Sequence, residues 1–139
     1  MLLFELSKEE SKAFMRIVLE FVSIDNKVNR EEKNIVAKYL SKLNLSREEA
    51  NNLTVEEAKE ILKNSEDKIK KMIYFDLLGV ALIDGDYETS EIDFLDEIAN
   101  QFNISRANKI AFANYYYELD NMKDRSEEEI NEKLLRIIK

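Results

Sequence analysis

Ile24-Asp25-Asn26-Lys27-Val28-Asn29-Arg30-Glu31-Glu32 and Ile83-Asp84-Gly85-Asp86-Tyr87-Glu88-Thr89-Ser90-Glu91 lie 59 residues apart and read as one element written twice. Each carries an apolar residue, then an aspartate, then a glutamate seven positions after the aspartate. Extending the register aligns 14–47 with 73–106 and gives seven identities, at Leu19, Ile24, Asp25, Glu32, Asn44, Ser46 and Arg47. Many remaining pairs set apolar against apolar, as where Val18, Phe21 and Val22 meet Leu77, Val80 and Ala81. The pattern predicts two helix–turn–helix units related by duplication, with a pseudo-twofold relation between them.

The rest of the chain supports an all-α fold. It has no proline, only two glycines and 36% charged residues, a balance that favours helices joined by short polar turns over a sheet. With 139 residues and 45% apolar content, 1–139 reads as a single helical domain around one core.

Local punctuation places the helices. Ser7 with Glu10, Asn29 with Glu32, Ser46 with Glu49 and Thr54 with Glu57 have the capping-box form, in which the cap hydroxyl or amide and the carboxylate three residues on satisfy each other's backbone donors. Apolar residues recur at helical spacing after them, and the predicted core comprises Phe14, Ile17, Val18, Phe21, Val22, Ile35, Val36, Tyr39, Leu77, Ala81, Phe94, Leu95, Ile98 and Phe102. Ser105 opens another helix through Tyr115-Tyr116-Tyr117, and Ser126-Glu127-Glu128-Glu129 opens a last amphipathic one. Three consecutive tyrosines on a helix point in different directions, so they divide between core and surface. Asp76 falls over Ile17 on the inward stripe and is expected to be a core carboxylate bonded to a tyrosine or lysine, or the mark of a small shift of the helix face.

Several function classes are disfavoured outright. Without cysteine or histidine there are no disulfides, thiol nucleophiles or Cys/His zinc sites, so any metal site must be built from oxygen. A net charge of −8 with no long basic run opposes nucleic-acid binding. Met1-Leu2-Leu3-Phe4 is too short for a membrane span or a signal-peptide core, and a cytoplasmic protein without direct membrane insertion is expected.

The chemistry on offer lies in Asp25, Glu32, Asp84 and Glu91. Hard divalent cations take several oxygen ligands, and carboxylates that would repel one another are reconciled by an ion. Asp86 and Glu88 can add ligands on the second side. The competing reading needs no metal: Glu32 caps with Asn29, and the aspartates bond nearby turn amides. Gly85 fits a backbone requiring positive φ. An EF-hand is ruled out, because Asp84-Gly85-Asp86 puts glycine second where the calcium loop needs it sixth.

These two segments resemble the duplicated motif of the TerB-like family, which includes tellurite-resistance TerB proteins and the N-terminal domain of certain membrane-anchored DnaJ-type co-chaperones. The resemblance covers about residues 10–120. It implies an all-helical bundle, divalent-metal binding (calcium, magnesium or manganese) through Asp25 and Glu32 in the first half and Asp84 and Glu91 in the second, and no organic cofactor. It further implies work through protein partners in a stress response, at the membrane periphery, rather than catalysis. Asn26 departs from the motif, which prefers glycine there. A purely structural interaction domain without metal is the alternative. An enzyme ranks behind both, since no nucleophile–base set or phosphate-cradling glycine loop is present.

Overall fold

The computed structural model describes residues 5–24, 30–82 and 89–118. Among the described residues there are seven helices and no strand: α1 (Lys8–Ser23), α2 (Arg30–Leu43), α3 (Arg47–Asn51), α4 (Val55–Lys63), α5 (Asp67–Leu82), α6 (Thr89–Gln101) and α7 (Arg106–Glu118). The capping boxes of α1, α3 and α4 form as their sequences require. In each, the Ser7, Ser46 or Thr54 hydroxyl accepts from the third helical N–H while that residue's glutamate accepts from the cap N–H, at 2.9–3.2 Å. The Asn29 cap lies outside the described residues, as do the turns at 25–29 and 83–88 and the predicted last helix.

The 59-residue offset carries the helix bounds: α1 and α5 run from 8 to 23 and from 67 to 82, α2 and α6 begin at 30 and 89, and α3 and α7 begin at 47 and 106. It also carries backbone detail. Asn44 and Asn103, one of the seven identities, both take the left-handed conformation, with φ of 54° and 55°. Behind each, the helix closes in the same way, Leu45 N–H donating to the Leu40 carbonyl and Ile104 N–H to the Ala99 carbonyl, both at 2.9 Å. Asparagine is the non-glycine residue that accepts this conformation most readily.

The halves then diverge. Asn52-Leu53-Thr54 breaks the first at the cap of α4, whereas the corresponding Ala111-Phe112-Ala113 lets α7 run on unbroken.

Two central helices organise the core. α1 buries Ala13, Phe14, Met15, Ile17, Val18, Leu19, Phe21 and Val22 and packs on α4, α2 and α3. α5 packs on α6 and α7 and is buried on almost every side, through Ile69, Met72, Ile73, Tyr74, Phe75, Leu77, Leu78, Val80 and Ala81. A helix apolar all round belongs in an interior. The halves meet where the Phe21 and Phe94 rings lie 5.5 Å apart, and where the Ser65 hydroxyl donates to Glu10.

Ile35 and Phe94, expected in the core, are only partly buried. Val36 and Tyr39 carry the inward stripe of α2, and Phe94 sits at the rim with one face under the Lys59 ammonium, 5.6 Å from the ring centre. The tyrosines divide as expected: Tyr115 is buried, Tyr116 half-buried and Tyr117 76% exposed.

Gly79 leaves no room for a side chain. A methyl group there would overlap the Tyr116 hydroxyl and stand 2.7 Å from its Cζ. Tyr116 cannot easily withdraw, because its ring stacks on Phe75 at 4.6 Å and its hydroxyl donates to the Phe75 carbonyl at 2.8 Å. Gly79→Ala is therefore expected to destabilise by about 1–2 kcal/mol in urea titration, overpacking outweighing the helix-propensity gain. Tyr116→Phe, harmful alone, should cost less in that background, because it removes the overlapping oxygen; strictly additive effects would refute the clash.

Candidate functional site

The acidic corners occupy matching places between helices. Asp25 and Asp84 stand two residues beyond the ends of α1 and α5, while Glu32 and Glu91 are the third residues of α2 and α6. Helix starts carry unpaired N–H groups and partial positive charge, so a glutamate there is favoured with or without an ion. Glu91 is buried, at 6% exposure, and has an interaction partner within the fold. Asp25 and Asp84 lie outside the described residues, as do Asp86, Glu88, Gly85 and the side chain of Glu32. Among the described residues no group of three or more carboxylates is placed to hold a metal ion.

A second acidic feature is internal. Asp76, on α5, is 3% exposed, and burial pushes its carboxyl up to about 7 although the Lys42 ammonium draws it down. Its neighbours are tyrosines. Burial, and then the charge of Asp76, raises the phenols of Tyr39 on α2 and Tyr116 on α7. The inward position expected of Asp76 is observed, and the tyrosines beside it couple to it through charge. The helix that carries it is buried nearly all round, which explains why little solvent reaches the carboxyl.

One concavity among the described residues follows from no sequence motif. It is a groove of about 660 Å³ between α1, α2 and α3, with Leu19, Val22, Val36 and Leu40 among its apolar lining and Arg16, Lys33, Arg47 and Glu20 among its charged lining. Its one sequence signal is Arg16, an isolated cation in the apolar run of α1.

No helix among the described residues is long and apolar enough to cross a membrane. A family model described as "Tellurite resistance protein TerB" matches residues 11–114, well over half the chain and all seven helices in whole or part. No curated protein and no solved structure matches significantly.

Proposed function

The chain belongs to the tellurite-resistance TerB family, and on that premise we propose that it is a non-enzymatic helical module that binds a divalent cation at its two acidic corners and acts through protein partners in a stress response. The observation that carries the reading is the equivalence of the corners. In both halves the aspartate follows the first helix by two residues and the glutamate is third in the next, although the residues between them differ. Capping accounts for each carboxylate separately, whereas an ion shared between the two corners accounts for their repeating together at a fixed interval. A role through partners is supported by Ile110 and Tyr117, seven residues apart on one side of α7 and 53% and 76% exposed.

Calcium, magnesium and manganese titrations followed by NMR and thermal melting test this. A saturating ion at 100 times its dissociation constant should stabilise the fold by about 2.7 kcal/mol. Asp25→Asn with Asp84→Asn should abolish that gain and leave the helical spectrum unchanged. If millimolar divalent ions alter neither spectrum nor melting temperature, the carboxylates are caps and the module is a purely structural interaction domain. The buried, already partnered Glu91 is what favours that second reading.

A further inference from the structure

We propose that the groove between α1, α2 and α3 binds a small organic anion, a molecule with one carboxylate or phosphate head on a short apolar body. The inference does not depend on the acidic corners. Its first support is charge: three cations, Arg16, Lys33 and Arg47, face one carboxylate, Glu20, on a chain whose net charge is −8. Such a local reversal attracts an anion where the rest of the surface repels it.

The second support is preorganisation. Arg16 is held across the groove wall, its Nε donating to the Leu53 carbonyl at 3.0 Å and its Nη2 lying 3.6 Å from Glu20. A guanidinium has five N–H donors, so this tether leaves others for a planar anionic head. Among the described residues neither Lys33 nor Arg47 is paired with a carboxylate.

The third comes from the molecule's own second half. At the 59-residue offset Arg16 and Glu20 correspond to Phe75 and Gly79, and there Tyr116 covers the wall, stacked on Phe75 and pressed against Gly79. The first half breaks at Asn52-Leu53-Thr54 and puts no aromatic ring on the equivalent wall, so the groove stays open over a floor of nearly buried Leu19, Val22 and Val36, with half-buried Leu40 and exposed Ala37 as the apolar surface a ligand can cover.

Size selects the ligand class. The lining residues span two turns of α1 and two of α2, about 10 Å, and 660 Å³ lies in the range of small-molecule pockets. A docked helix or a nucleic-acid backbone would need a longer track.

The test is an amide NMR titration of the whole chain with octanoate and octyl phosphate, against octanol, octylammonium and inorganic phosphate. Saturable shifts confined to α1, α2 and α3 are expected with the two amphiphilic anions, and much weaker ones with the controls. Lys33→Glu with Arg47→Glu, both exposed, should weaken binding roughly tenfold or more. Exposed Ala37→Trp should block it by filling the groove, while Arg106→Glu, the counterpart of Arg47, should leave it unchanged. Octanol binding as tightly as octanoate, insensitivity to the Lys33/Arg47 reversal, shifts centred on other helices, or no saturable binding by about 1 mM would each overturn the proposal. So would capture by anionic lipid vesicles with no response to monomeric octanoate, which would mark a membrane-facing surface instead.

Discussion

Phe14→Ala is expected to lower the free energy of unfolding by about 3–5 kcal/mol, a large part of the margin of an ordinary domain. Phe14 is fully buried in α1, and its ring meets Tyr39 of α2 edge-on at 5.3 Å, so truncation loses apolar burial and an aromatic contact and leaves a cavity between helices. Neighbouring residues of α1 are themselves fully buried and cannot easily collapse into the space. Phe94→Ala is the internal comparison. Its ring is only partly buried at the rim, so its loss should cost distinctly less. Urea denaturation of both variants decides the matter, and equal costs would mean that rim and centre are wrongly assigned.

Asp76→Asn is expected to stabilise the protein by about 2–4 kcal/mol at pH 8 and to have little effect near pH 4. The folded-state carboxyl, pushed up to about 7 by burial, keeps its proton where the unfolded chain, near the ordinary value of 3.8, has released it. Between those values the native state binds more protons, so wild-type stability should fall as pH rises from about 4 to about 7 and then level off. The amide cannot ionise, and the variant should lose that slope. Glu10 and Glu49 act in the opposite sense. Hydrogen bonds hold Glu10 low despite partial desolvation, and the Ser46 backbone N–H holds Glu49 low, so their contribution is lost as pH falls through the acid range. Subtracting the variant's pH profile from the wild type's removes them. Parallel profiles would show that Asp76 ionises as freely in the folded protein as in the unfolded chain.

The helices were legible because their starts are written locally. Ser7, Ser46 and Thr54 each carry their glutamate three residues on, and the backbone has no better option. Asn44 and Asn103 were visible as an identity, but that both are left-handed helix ends follows only from the closing hydrogen bonds behind them. The candidate site was legible as a repeated Asp–Glu interval and no further, since the interval fixes position along the chain and not distance across it. The groove escaped notice for a related reason. Arg16, Lys33 and Arg47 come from three helices, and no spacing rule connects residues that tertiary packing alone assembles. Phe94 was misplaced because a helical stripe does not say where the stripe's edge lies.

The near-complete enclosure of α5 has a consequence for hydrogen exchange. Amides whose helix is covered on all sides cannot reach water by local fraying, so those in the middle of α5 should exchange only when the whole molecule opens and should report its global stability. The five-residue α3, with four of its residues at least partly exposed, should open on its own and exchange far sooner. The slowest amides would thus mark the last cooperative unit to come apart, and the fastest structured ones would mark the wall of the groove.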